Sequence, residues 1–205
     1  SGVKTDAGES TAMYLSIMDF FGDLELALCN MDALERISPD FIDHVAATSK
    51  GAKIVALDTN LNEETLTYAV EKFAGVPLFL DPVSAAKAGR ARNVIGQFHT
   101  IKPNRKEAEI LTGMEIVEPS AVEKAGEWFL KQGVQRVFLT LSAGGVYYCD
   151  QKVSGMLTPQ APQKAIASAT GAGDAFSAAV LYGTAKGFVR EDLLSWGMAA
   201  ASLTL

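Results

Sequence analysis

The stretch SATGAGDAFSAAV, residues 168–180, sets a carboxylate, Asp174, at the start of an apolar helical run and directly after Gly171, Ala172 and Gly173. A helix start points unpaired N–H groups and a positive dipole end outward, which suits an anion. Glycines ahead of it let backbone approach a bulky group, because no Cβ intervenes. A carboxylate beside such amides can take a proton from an alcohol while the amides hold the charge that builds on the other reactant. Those are the parts of an alcohol-phosphorylating site: a base for the attacking hydroxyl and donors for the transferring phosphoryl oxygens. The same Asp174 also reads as a helix cap, since Asp is a favoured N-cap. Two competing glycine motifs are excluded. The P-loop pattern GxxxxGK[ST] does not occur, and the dinucleotide fingerprint would need glycine where Phe176 stands.

The elements that must position this site alternate between strand and helix. AKIVALD, VPLFLDP, FHTIKPN, RVFLTLS and GVYYCD read as strands. SPDFIDHVAATSK, NEETLTYAVEKFA, RKEAEILTG, PSAVEKAGEWFLKQG and the stretches from 174 to 187 and from 191 onward read as helices. Asn62 is the expected N-cap of the second helix, Gly113 closes the third, and Pro119 and Gly133 bracket the fourth. The runs KIVAL, PLFL and RVFLTL read as strands buried on both faces, and the alternation argues for a parallel sheet covered by helices. The first 32 residues differ: TAMYLSIMD and DLELALCNM alternate in part and read as a hairpin or lid. The expected division is a lid with the N-terminal remainder over 1–32 and an α/β core over 33–205. The last helical pattern, LLSWGMAAASLTL, stops without a terminator, and the beginning is equally abrupt, so the sequence reads as truncated at both ends.

Bulk properties narrow the class. Of the 205 residues 48% are apolar and 20% charged, enough to fill a core. The net charge is -6, without the basic footprint of a nucleic-acid binder. No apolar run reaches the roughly 18 residues of a membrane span, and no signal core opens the chain. Cys29 and Cys149 lie far apart without a CxxC pair, and His44 and His99 are isolated, which argues against structural zinc. Both cysteines are expected to be reduced core residues of a cytoplasmic protein.

Four spaced motifs carry a resemblance. ATGAGDAFSAA resembles the C-terminal signature of the ribokinase-like, or phosphofructokinase-B, sugar and nucleoside kinases. KPNRKEAEILTG resembles that family's N-x-x-E motif, with Asn104 and Glu107 in place, and VFLTLSAGGVYY resembles its T-x-G-x-x-G nucleotide stretch. VPLFLDPVSAAKAG, FHTIKPNRKEAE and STAMYLSIMD look more like the pseudouridine kinase branch than ribokinase proper. The resemblance implies an α/β, three-layer ribokinase-like sandwich with a mostly parallel central sheet and a small β-lid. It also implies an ATP- and Mg²⁺-dependent kinase acting on a primary hydroxyl, with pseudouridine the best specific acceptor. The alternatives are another sugar kinase of the family (ribose, fructose or a keto-deoxy sugar acid) or a non-catalytic nucleotide-binding homologue.

By the same resemblance Asp174 is the catalytic base, and Gly171, Ala172 and Gly173 form the anion hole for the γ-phosphoryl. Asn104 and Glu107 organise Mg²⁺ and the ATP phosphates, largely through water. Their plainer reading is the first turn of a helix. Thr140, Ser142, Gly145 and Thr170 fall on the nucleotide side. Ser142 stands where the family usually has glycine, and Ser168 stands where many members carry an acidic residue that holds a monovalent cation, so potassium activation is put in doubt. Asp58, Asn60, Asp81 and Lys87 are candidates for the acceptor. The plainer reading of both aspartates is that they end strands and cap turns. Thr11, Met13 and Tyr14 on the first lid strand are weaker candidates. The family's lid strands often pair between subunits, which implies a homodimer.

Overall fold

The computed structural model describes residues 3–8, 10–18, 24–159 and 170–205. They form two compact units. One comprises Ser38–Pro159, and the other comprises Val3–Ile37 together with the segment from 170 to 205.

The Ser38–Pro159 unit is built on one six-stranded sheet. Its strands are β3 (Val55–Asp58), β4 (Leu78–Asp81), β5 (Thr100–Ile101), β6 (Arg136–Thr140), β7 (Val146–Asp150) and β8 (Ser154–Leu157), in the spatial order of the chain. β3 to β6 are mutually parallel, and β6–β7 and β7–β8 are antiparallel. The parallel half needs crossovers, and helices supply them. These are α3 (Glu63–Lys72), the short α4 (Ala85–Ala88) running into a 3-10 stretch over Gly89–Gln97, α5 (Arg105–Thr112) and α6 (Pro119–Gln132). α2 (Pro39–Thr48) precedes β3 and packs on α3. The start and stop signals are where local chemistry puts them. Asn62 accepts the Thr65 amide at 2.8 Å, and α5 and α6 end in left-handed Gly113 and Gly133.

The core lies in and under this sheet. Leu80, Ile101, Phe138 and Leu139 are inaccessible on the strands, and Phe129 of α6 is inaccessible against them. β4, β5 and β6 are buried on both faces, as their apolar runs require. β3 is not: among the described residues it is the end strand, and Ala56 is exposed. The sequence pattern also gave no sign of β8, whose residues Ser154, Gly155 and Met156 are exposed. It is held by pairing with β7 rather than by burial.

The second unit holds the antiparallel hairpin β1 (Met13–Met18) and β2 (Leu24–Asn30), the short α1 (Asp32–Glu35), and the helix pair α7 (Ala172–Lys186) and α8 (Arg190–Leu203). Register sets Leu15 opposite Leu28 and Ile17 opposite Leu26, so Met13, Leu15, Ile17, Leu26 and Leu28 share one face, all exposed. Cys29 is exposed too, whereas Cys149 of β7 is buried. The expectation of two core cysteines therefore fails for Cys29. A two-stranded ribbon has no second layer to bury it. α7 and α8 pack closely. Phe176, Val180 and Gly183 face inward, and a Cβ on Gly197 would lie 2.6 Å from the Phe176 ring. Among the described residues no helix is long and apolar enough to cross a membrane.

Candidate active site

The candidate residues sit at two places. The first is the carboxyl edge of the parallel strands, where open α/β sheets take ligands. Just past β5 and heading α5, Asn104 and Glu107 close a reciprocal capping box. The Asn104 amide donates to Glu107 Oε2 at 2.8 Å, and the Glu107 amide donates to Asn104 Oδ1 at 3.0 Å. Asn104 Nδ2 adds a third bond to Glu107 Oε1 at 2.7 Å. The N-x-x-E spacing is thus the spacing of a helix cap, worth about 1 kcal/mol locally. Burial pushes the Glu107 carboxyl above its ordinary range. The Asn104 amide and the nearby Lys102 charge pull it back, and Asp81 adds to the rise. Asn104, in contrast, is exposed.

One strand over, Thr140 is tied to the same place. Its amide donates to Pro103 O at 2.9 Å, and Asn104 and Thr140 form an isolated parallel bridge. Past Thr140 the chain turns through Ser142–Gly144 into β7, with Leu141 N bonded to Gly145 O at 2.8 Å. The turn joins two antiparallel strands and so closes a hairpin. Ser142 adopts φ +52°. A left-handed residue is where glycine is at no steric disadvantage, which accounts for the glycine that the motif calls for. The left-handed serine costs about 1–2 kcal/mol, offset in part by roughly 0.4–1 kcal/mol of extra unfolded-chain entropy that glycine would add. Ser142→Gly is therefore expected to stabilise the chain by about 1 kcal/mol or less. The midpoint of a urea or thermal unfolding curve measures it, and a lower midpoint would contradict the strain.

At the ends of β3 and β4 three of the candidates for the acceptor form one relay. Lys87 Nζ donates to Asn60 Oδ1 at 2.7 Å, and Asn60 Nδ2 donates to Asp58 Oδ2 at 2.9 Å. Both aspartates also shape turns. Asp58 Oδ1 accepts the Asn60 amide at 2.9 Å and Asp81 Oδ1 accepts the Val83 amide at 3.1 Å. The other Asp81 oxygen is paired with Lys102 Nζ at 2.9 Å. Lys102 is 6% exposed and was not singled out from the sequence. A buried ammonium demands a partner, and Asp81 on the neighbouring strand supplies it. Arg90 was missed as well. It donates to the carbonyls of Thr59, Asn60 and Leu61 at 3.1–3.3 Å and so fixes the loop after β3.

The second place is the start of α7, in the other unit. Its N-cap is Gly171, with φ +86° and no side-chain capping bond, so Asp174 does not cap the helix. Asp174 is the third helical residue and is exposed. The first ladder bond runs from the Ala175 amide to Gly171 O at 2.9 Å. The amides of Ala172, Gly173 and Asp174 precede it, and such groups have no partner inside the helix. Gly171 is needed for its backbone conformation rather than for room, since a Cβ there would meet nothing within 4 Å. Thr170 adjoins this start, while Ser168 lies outside the described residues.

Comparison with known proteins bears on the family and the fold. The whole chain, residues 1–205, matches the model of the pfkB family carbohydrate kinases. It is 34% identical to pseudouridine kinase of Escherichia coli over 211 aligned residues, covering 100% of this chain and 67% of that protein. It is 30% identical to an uncharacterized sugar kinase of the same organism, covering 56% of it. Among solved structures, ribokinase of Thermotoga maritima superposes with a TM-score of 0.80 at 24% identity, over 95% of this chain and 64% of that one. The chain therefore spans roughly 56–67% of the length of these relatives. Its mostly parallel sheet and separate two-stranded hairpin are those of the ribokinase-like fold. The chain belongs to the pfkB family of carbohydrate kinases.

Proposed function

We propose that the protein containing this chain transfers the γ-phosphoryl group of ATP to a primary hydroxyl of a nucleoside or sugar, with pseudouridine as the acceptor and pseudouridine 5′-phosphate as the product. The observation that carries the reading is the start of α7: an exposed Asp174 carboxylate one residue after amides that precede the helical ladder. Asp174 takes the proton of the acceptor hydroxyl. The amides of Gly171, Ala172 and Gly173 donate to the transferring group. Both act where charge develops, which is where fixed donors lower a barrier most.

Thr140, Ser142 and Gly145 of the β6–β7 turn, with Thr170, hold the nucleotide. Asp58, Asn60 and Lys87 offer the acceptor a connected set of polar groups. Asp81, with both oxygens engaged, acts by fixing the turn beside them. When bound, Mg²⁺ would be held near Asn104 and Glu107, largely through water, and would supply positive charge against that of the phosphates. The donor set suits an ion that keeps its own waters. Asn104 is exposed and Glu107 stands behind it, and among the described residues no group of three or more His, Cys, Asp or Glu could cage a metal. Residues 1–32 serve as the lid of the 33–205 core, the place of action is the cytoplasm, and a role for a monovalent cation stays tied to Ser168.

The acceptor assignment leans on the 34% identity with pseudouridine kinase. A second reading, a sugar acceptor, leans on the 30% identity with the uncharacterized sugar kinase. Incubation with ATP, Mg²⁺ and a panel of pseudouridine, uridine, ribose, fructose and a keto-deoxy sugar acid separates them. Pseudouridine 5′-phosphate as the main product supports the first. Phosphorylation of a free sugar alone replaces it with the second, and nucleotide binding without transfer to any acceptor removes both.

The exposed apolar face of the hairpin supports a homodimer through the lid. Leu15→Asp is expected to turn a dimer into a monomer in sedimentation, and a wild-type monomer at all concentrations would end that proposal.

A further inference from the structure

Val83 has φ +61°. A β-branched residue is a genuine outlier in the left-handed region, because its branch crowds the backbone. The conformation is enforced from three sides. Ser84 N donates to Pro82 O at 2.6 Å, closing a three-residue turn around Val83. The Val83 amide donates to Asp81 Oδ1 at 3.1 Å, and the buried Thr59 hydroxyl donates to Pro82 O. Val83 is nonetheless 44% exposed, so a large part of its apolar surface faces outward rather than into the core. Glycine or asparagine would fit this backbone better.

Strain of this kind persists where surroundings over-determine it, and it clusters at ligand clamps. The turn stands in such a place. It follows β4, between the ends of β3 and β5, on the carboxyl edge of the sheet. It also leads into α4, whose Lys87 reaches Asn60.

We propose that Val83 is a specificity-determining residue whose exposed isopropyl group, held out by the strained turn, makes apolar contact with the carbon face of the acceptor beside the Asp58–Asn60–Lys87 relay. The inference rests on the kinase reading above. It divides the labour at this edge: the relay meets hydroxyls, and Val83 meets carbon.

The test is steady-state kinetics and thermal unfolding of the wild type, Val83→Ala and Val83→Gly. Loss of a small apolar contact is expected to raise the acceptor KM about tenfold in both variants, with the KM for ATP within twofold of wild type. Val83→Gly, freed of the strained Cβ, is expected to melt about 2–4 °C higher, and Val83→Ala close to wild type. An unchanged acceptor KM in both variants overturns the proposal. So does an equal rise in both KM values, which would make the turn a general support of the strand ends, or a lower melting point for Val83→Gly. A wild type that phosphorylates no acceptor overturns the kinase reading itself, a result distinct from active enzyme with unaffected variants.

Discussion

Asp174→Asn is expected to lower kcat by about 10²–10⁴-fold, the usual contribution of a general base. That corresponds to roughly 2.7–5.5 kcal/mol of barrier. The substitution keeps the shape of the side chain and removes its capacity to take a proton. Asp174 has a second, smaller job as an acidic residue in the first turn of α7. A charge near a helix N-terminus is worth about 0.3–1 kcal/mol at an exposed site. The two jobs differ enough in size to be told apart. If Asp174 is only a favourable helix charge, the asparagine variant melts slightly lower and turns over as before. If it is the base, turnover collapses while ATP binding, followed by calorimetry, stays within a few-fold of wild type. Wild-type kcat in the variant would end the assignment. Because the N-cap is Gly171 and makes no side-chain bond, loss of a cap cannot be offered as the cause of lost activity.

The largest structural effect is expected at Gly145. Its φ is +91° and its ψ -144°, a region open to essentially no residue but glycine. A Cβ would also lie 2.1 Å from Leu157 O and 3.0 Å from Pro159 Cδ. Leu157 O is backbone of β8, so the clash cannot be relieved by turning a side chain. Gly145→Ala must distort either the β6–β7 turn or the β7–β8 pairing, at a cost of about 3 kcal/mol or more. For a chain of this size that is a fall in melting temperature of roughly 6–12 °C. Thermal unfolding measures it, and a variant as stable as wild type would show that the close approach to β8 is not kept. Ser142 and Gly145 belong to one turn, and the expected effects have opposite signs. Glycine at 142 relieves a left-handed serine, whereas alanine at 145 introduces a residue that the backbone cannot accept.

What could be read from the sequence follows the range of the forces involved. The N-x-x-E pair, the Asn62 cap and the glycines that close α5 and α6 act across three to five residues, and the structure shows them where the spacing implies. Strand–helix alternation is likewise local, and the parallel order of β3 to β6 follows from it. The candidates for the acceptor were legible as strand ends. Their joining into a relay was not, because Lys87 and Asn60 are 27 residues apart.

Other features had no local signature at all. Lys102 reads as an ordinary surface lysine until β4 is laid beside β5 and brings Asp81 to within 2.9 Å. Cys29 reads as a core residue until the hairpin proves to have only two strands. Val83 is unremarked in its sequence, and its strain comes from a hydroxyl on the neighbouring strand end and a carboxylate two residues back. The sequence by itself determined most of the elements, several of their caps and the family's motifs, since these depend on neighbours along the chain; β8, held by pairing with β7, was not among them. Which strand lies beside which, which side chains lose contact with water, and which backbone angles are forced were decided only in the folded chain. Pairing across the sheet, burial and close approach are set by residues that the sequence holds far apart.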